Sequence, residues 1–115
     1  MKKQHVLFVC SANLQRSPTA EKVFQNWQGV WESKSAGTMP LRNRRPLTQE
    51  LIDWADVIIV MEPHHARHIL TNFQTEHSKI RILEISDTYY RDDPELIQQL
   101  KLKVIPILES GQRRR

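Results

Sequence analysis

Cys10, Arg16 and Ser17 are the residues whose types and spacing can do chemistry together. Cys10-Ser11-Ala12-Asn13-Leu14-Gln15-Arg16-Ser17 is a cysteine, five residues, an arginine and a serine, and Cys10 is the chain's one cysteine. Five intervening residues suffice to curl the backbone into a nest whose N–H groups converge on an anion. Arg16 can clamp two oxygens of a bound phosphoryl group with its planar fork, a geometry that lysine cannot reproduce. Cys10 would then lie beneath the phosphorus. A helix N-terminus and a neighbouring guanidinium both favour the thiolate, and Ser17 can donate a further hydrogen bond to it, which makes Cys10 a nucleophile. Asn13 is one of the few residue types besides glycine that tolerate the left-handed backbone such a loop needs, and its amide can brace the loop from inside. The expected phosphate-binding set is therefore Ser11, Ala12, Asn13, Leu14, Gln15 and Ser17 around the catalytic pair Cys10 and Arg16.

The elements that must position these residues are legible around them. Val6-Leu7-Phe8-Val9 is a continuous apolar run of the kind that fills a parallel strand covered on both faces, so a strand delivers Cys10. Pro18 suits the first turn of a helix running from Thr19 to Trp27, with Ala20, Val23, Phe24 and Trp27 at spacings of three and four. Residues 30–35 read as a second strand closed by Ala36-Gly37, and residues 39–46 as a basic, proline-flanked loop. Thr48 is the N-cap of a helix reaching Ala55, followed by the apolar strand Val57-Ile58-Ile59-Val60-Met61. Pro63 opens a helix carrying Ile69, Leu70 and Phe73. Residues 80–85 form the last strand and residues 86–93 a polar loop. Pro94 opens a C-terminal helix bearing Leu96, Ile97 and Leu100 on one side, which Pro106 should interrupt or kink.

Strands alternating with helices imply an α/β fold: a doubly wound, four-stranded parallel sheet of flavodoxin-like type with helices on both faces. In such a sheet the loops after Val9, Met61 and Ile85 meet at the carboxyl ends of the strands, where ligands bind. A length of 115 residues suits one domain, residues 1–115, with one core. With 39% hydrophobic and 26% charged residues the chain falls among ordinary globular proteins. No apolar run approaches the roughly 20 residues that cross a bilayer, and the apolar stretch before Cys10 is too short for a signal peptide. One cysteine forms no internal disulfide, so a reducing compartment, the cytoplasm, is expected. A net charge of +4 favours anionic partners, although part of it sits in Arg113-Arg114-Arg115, which reads as a solvated end. Nothing aromatic interleaves with that tail as a nucleic-acid platform requires, so nucleic acid is not the expected partner.

The phosphate loop, together with Ser35-Ala36-Gly37-Thr38 and Asp87-Thr88-Tyr89-Tyr90, resembles the low-molecular-weight protein tyrosine phosphatases, and in particular a compact bacterial subgroup. The resemblance spans the chain and implies the same doubly wound sheet, a phosphocysteine intermediate, no cofactor or metal, and a phosphorylated substrate, most naturally a phosphotyrosine protein. It also implies an acid loop in which an aspartate precedes a proline and two aromatics wall the cleft. Here Thr88 stands where the proline would be.

A cysteine phosphatase needs a general acid to protonate the leaving oxygen, and the same group then activates water. The resemblance makes Asp87 the first choice, with Tyr89 and Tyr90 as cleft walls; Asp92 and Asp93 lie in the same loop. Asp93-Pro94 also makes a good helix start, with Asp93 as N-cap. Tyr89 and Tyr90 read equally well as lids on the core. His64, His65 and His68 have ligand-like spacing but no partner in a recognisable pattern, so a solvated helix face is expected and no metal site. Arg42, Arg44 and Arg45 read as steering charges for an anionic substrate. The arsenate reductases that share this loop shuttle a disulfide among several cysteines, which this chain does not have, and Gln15 stands where many of the phosphatases place a second loop cysteine. Two alternatives stay open: a phosphatase acting on a non-protein phosphomonoester, and a catalytically silent phosphate- or RNA-binding module.

Overall fold

The continuity of the Val6–Val9 apolar run follows from the place of β1 (Gln4–Cys10) in the middle of the molecule. In the computed structural model, which describes residues 3–113 and side chains for 3–110, both faces of this strand are covered. Val6, Phe8 and Cys10 point to one face, where they pack with Phe24, Met61, Leu96, Leu100 and Val104. Leu7 and Val9 point to the other, against Ile52, Ile58, Val60, Ala66 and Ile69. Successive side chains on a strand alternate in direction, so the one apolar run from Val6 to Cys10 feeds both layers.

The elements follow in the order β1, α1 (Arg16–Phe24), β2 (Trp31–Gly37), α2 (Gln49–Trp54), β3 (Val57–Val60), α3 (Pro63–Asn72), a 3₁₀ turn at His77–Lys79, β4 (Ile80–Ile82) and α4 (Pro94–Arg113). The sheet is parallel with order β2-β1-β3-β4. That is the flavodoxin-like doubly wound arrangement expected from the sequence. The chain leaves β1 toward β2 on one side and returns to β3 on the other, so a crevice opens between the loops after β1 and β3. No helix among the described residues is long and apolar enough to cross a membrane.

Several boundaries differ from expectation, each for a local reason. α1 begins at Arg16, inside the loop as first read, and ends at Phe24. Gln25 turns extended (φ −62°, ψ 125°), and Asn26, Gln28 and Gly29 take φ of 57°, 52° and 68°. Trp27 therefore lies outside the helix, edge-on to Phe24 with ring centroids 5.2 Å apart. β4 stops at Ile82 because Glu84 adopts φ 61° and interrupts regular pairing. Leu83 and Ile85 nevertheless donate to the carbonyls of Val60 and Met61 at 3.0 and 2.8 Å, which carries the chain on to the site. Thr48 caps α2 as expected, accepting from the Leu51 N–H at 3.2 Å.

α4 runs through Pro106 without the interruption expected there. A proline inside a helix costs about 3 kcal/mol or more. Here its ring is on the solvent side, so water can take the freed carbonyl of Leu102, while Leu100, Val104 and Leu108 are fully buried and hold both sides of the helix on the sheet. The side chains of Arg113, Arg114 and Arg115 lie outside the described residues.

Candidate active site

β1 delivers Cys10 to the carboxyl edge of the sheet, 2% exposed and paired in register with Gly37 of β2. The chain then curls over Gly37 at van der Waals range. A Cβ at that position would come 2.5 Å from the Ser11 carbonyl oxygen and 2.9 Å from the Asn13 nitrogen. Glycine is thus required by the close approach of two backbones, and the Ser-Ala-Gly-Thr stretch has a steric reason. Beyond it, Thr38, Met39 and Leu41 donate from their backbone N–H groups to the carbonyls of Cys10, Ser11 and Ala12 at 2.9, 2.8 and 3.2 Å. With the carbonyls so engaged on the outside, the loop's N–H groups are left for the interior.

Asn13 is the internal brace. It takes φ 55° and is 2% exposed. Its Nδ2 donates to Ser17 Oγ and Ser35 Oγ, each at 3.0 Å, and its Oδ1 accepts from the Arg45 N–H at 3.0 Å. Ser17 Oγ, already accepting from Asn13, lies 2.9 Å from Cys10 Sγ. A thiolate can only accept, so the Ser17 hydroxyl donates to it when Cys10 is ionised. No side chain caps the N-terminus of α1, where Gln15 precedes Arg16. Its first-turn N–H groups and the helix dipole are therefore available to an anion. Leu14 is 38% exposed at the rim, and Ala12 and Gln15 are half-buried in the loop wall.

Arg16 is 2% exposed, an unusual place for a cation, and its partners explain it. Nη1 donates to Glu62 Oε2 at 2.5 Å and to the Ile85 carbonyl at 2.7 Å, while Nε lies 3.6 Å from Asp87 Oδ1. The guanidinium thus ties together the loops after β1, β3 and β4. The Glu62 carboxyl is held below the usual carboxylate range, chiefly by its hydrogen bond from Arg16, with burial opposing.

The three acid-loop aspartates part company. Asp87 lies against Arg16 with its side chain 63% exposed. Asp92 faces away, its N–H donating to Thr19 Oγ1 at 2.9 Å and its carboxylate 3.6 Å from Lys22 Nζ. Asp93 caps α4, its Oδ1 accepting from the Glu95 N–H at 2.8 Å. The two tyrosines divide as well: Tyr89 packs on the core layer shared with α1 and α4, and Tyr90 is 76% exposed.

Sequence reasoning missed Glu62 and His65. The three histidines were expected on a solvated face; His64 is exposed and His68 partly so, but His65 is completely buried. Its Nδ1 accepts from the Glu62 N–H at 3.0 Å, and its Nε2 lies 2.9 Å from Ser11 Oγ. Burial first, then the positive surroundings of His64 and Arg16, push its pKa down to about 4 from 6.5. The available signal was placement: a polar residue directly after Met61 falls at the edge where β3 adjoins β1. Glu62, His64 and His65 bring donor atoms within 4.8 Å of one another. Both ring nitrogens of His65 are occupied by hydrogen bonds, so a metal there would have to break one of them. In the basic loop, Arg44 Nε donates to the Asn13 carbonyl at 2.6 Å, which makes it a loop brace, and Arg42 is exposed.

No protein-family model and no curated protein matches the chain. Solved structures do. The low molecular weight protein tyrosine phosphatase from T. tengcongensis superposes with a TM-score of 0.81 at 22% identity, over 94% of this chain and 99% of that one. The YwlE arginine phosphatase from Geobacillus stearothermophilus gives 0.80 at 23%, over 96% and 94%. A low molecular weight phosphotyrosine phosphatase from Vibrio cholerae O395 gives 0.79 at 21%, over 96% and 98%. At such identities the likeness establishes a shared fold over nearly the whole of each chain.

Proposed function

We propose that this chain is a phosphomonoester hydrolase, a protein tyrosine phosphatase acting through a phosphocysteine intermediate without a metal or cofactor. The observation that carries the reading is the buried Cys10 Sγ, 2.9 Å from Ser17 Oγ, at the base of a loop closed by a buried Arg16. The loop N–H groups and Arg16 bind the three non-bridging phosphoryl oxygens and bear their charge, the task that a metal performs elsewhere.

The Cys10 thiolate attacks phosphorus and forms the S–P bond while the bond to the leaving oxygen breaks. Asp87, protonated, gives its proton to that oxygen, and the alcohol or phenol departs. The Asp87 carboxylate then takes a proton from water, which attacks phosphorus, breaks the S–P bond and releases inorganic phosphate with Cys10 again a thiolate. Asp87 suits this role better than Asp92 or Asp93, which are engaged with α1 and α4. Its carboxylate, 3.6 Å from Arg16 Nε, supports that choice.

The mouth favours an aryl phosphate. Leu14 on the phosphate loop, and Met39 and Leu41 on the segment hydrogen-bonded to it, are exposed at 38%, 77% and 52%, apolar surface beside the cradle that a phosphotyrosine ring can cover. The fold is shared with an arginine phosphatase as well, so phosphorylated arginine is the competitor to measure against.

The test is hydrolysis of para-nitrophenyl phosphate with EDTA present, by the unmodified protein and by Cys10→Ser, followed by phosphotyrosine and phosphoarginine peptides. Turnover with EDTA that Cys10→Ser abolishes, and preference for the phosphotyrosine peptide, is the expected result. Phosphate binding by the folded protein with no turnover would reduce it to a binding module.

A further inference from the structure

Among the described residues, His65 is the one fully buried ionisable side chain beside the cradle that the proposed chemistry leaves unused. Its hydrogen bonds settle which nitrogen carries the proton. The Glu62 backbone N–H can only donate, so Nδ1, 3.0 Å away, is the acceptor. In the neutral ring the proton is then on Nε2, and it is donated to Ser11 Oγ at 2.9 Å. A second proton on the ring would face the Glu62 N–H head-on, and burial together with His64, His68 and Arg16 opposes it, with Glu62 alone in its favour. The ring is held neutral, and the direction of both bonds is fixed.

Ser11 follows the nucleophile directly. Its hydroxyl, accepting from His65, keeps its own proton for another acceptor, and its backbone carbonyl is held by the Met39 N–H at 2.8 Å. At the other end of the loop, the carboxylate of the same Glu62 whose backbone His65 caps holds Arg16. His65 therefore touches one end of the loop directly and is linked to the other through Glu62.

The geometry points to His65 as a positioning residue of the phosphate site: it orients the Ser11 hydroxyl as an additional donor to a bound phosphoryl oxygen and keeps Glu62, and through it Arg16, in register. This rests on the phosphate-cradle reading above. No covalent step is involved. Once a phosphoryl group is bound, the line of donors runs from His65 Nε2–H to Ser11 Oγ and from Ser11 O–H to the anion.

A variant cycle separates this role from mere capping of α3. His65→Asn keeps an acceptor near the Nδ1 position for the Glu62 N–H but cannot reach Ser11. His65→Gln keeps a donor near the Nε2 position. Affinity for inorganic phosphate is measured by titration calorimetry, and kcat and KM with para-nitrophenyl phosphate, for both variants, for Ser11→Ala and for Ser11→Ala with His65→Asn. A hydrogen bond to a charged group implies that His65→Asn and Ser11→Ala each weaken phosphate binding by about tenfold. The double variant should lose no more than about twofold beyond either, and His65→Gln should recover most of the loss. Unchanged affinity in His65→Asn, or full additivity with Ser11→Ala, overturns the proposal.

The outcome is separable from that of the proposed activity. The non-additive pattern in phosphate binding without turnover upholds the role of His65 and sinks the phosphatase. Normal turnover with additive losses does the reverse, and a protein that neither binds phosphate nor turns over substrate loses both. Should His65→Asn not fold, the imidazole nitrogen shifts of the unmodified protein decide: an Nε2–H neutral ring from pH 5 to 8 is expected, and an Nδ1–H ring or a midpoint near the ordinary histidine value overturns the proposal.

Discussion

The two loops that face each other across the cleft are built in opposite ways. The phosphate loop, residues 10–17, is braced from three sides: by Asn13 from within, by the backbone of 38–41 from β2, and by His65 and Glu62 from α3. Its central residues Asn13, Arg16 and Ser17 are 2%, 2% and 0% exposed. The acid loop, residues 86–93, carries Asp87 at 63% exposure and Tyr90 at 76%, and near Asp87 its local bonding includes the Ser86–Thr88 hydroxyl pair at 3.0 Å. In the proposed reaction one loop must hold donors for three phosphoryl oxygens fixed before substrate arrives, which requires preorganisation. In the same proposal the other must admit a substrate, protonate its leaving group and then admit water, which requires access.

If that contrast is right, damage to the acid loop costs rate and spares stability, whereas damage to the cradle costs both. After Cys10→Ser, the largest effect should come from Asp87→Asn, which removes the proposed proton donor: kcat falls by about a thousandfold, within the 10²–10⁴ range of general acid catalysis, with the unfolding midpoint unchanged. A rate loss below tenfold would move the acid elsewhere. Next is Gly37→Ala, whose Cβ would meet the Ser11 oxygen at 2.5 Å. Overpacking against backbone should destabilise by about 2–3 kcal/mol, read in urea melts, and weaken phosphate binding with it. A neutral result would mean that the loop can shift, contrary to its bracing.

The third effect is a response to acid. His65 is neutral in the fold down to about pH 4, while the unfolded chain protonates it near 6.5. Below 6.5 the unfolded state binds the extra proton, so stability falls as pH falls, flattening below about 4; the loss between pH 7 and pH 5 amounts to about 2 kcal/mol. Glu62, whose carboxyl is depressed, adds to the loss only at lower pH, as its own proton returns. His65→Gln should erase the His65 part of this slope, and an unchanged slope would show that the ring titrates in the fold. The smallest effect belongs to Arg42, which is exposed and steers at most: Arg42→Gln should raise KM a few-fold at low ionic strength and leave it unchanged at high salt. A salt-independent change in KM would instead place Arg42 in contact with substrate.

How much of this was readable in advance depended on sequence separation. The cradle is local: Cys10, Asn13, Arg16 and Ser17 lie within eight residues, so their spacing alone carries their geometry. The strands were equally plain, because residues buried on both faces leave an unbroken apolar run. Trp27 was assigned to α1 on period alone, while the chain turned at Gln25 through three left-handed residues, a local backbone choice that apolar spacing does not report. Pro106 was expected to interrupt or kink α4, yet the helix runs through it, the packing of Leu100, Val104 and Leu108 outweighing the local penalty.

The sequence by itself determined the order of elements and the local arrangement of the Cys10–Ser17 loop, since each depends on residues near one another in the chain. Only the tertiary structure decided which polar residues close the site. Glu62 lies 46 residues from Arg16, and His65 lies 54 from Ser11. Both meet the loop because β3 pairs beside β1 at the point where the sheet reverses its order. Among Asp87, Asp92 and Asp93 the sequence had ranked Asp87 first by resemblance and read Asp93 as a helix cap, without fixing where each side chain lies. Asp93 caps α4 through the nearby Glu95 N–H, as its place before Pro94 implied, whereas the path of the chain past Glu84 brings Asp87 to Arg16 and Asp92 to α1, contacts that only long-range packing sets.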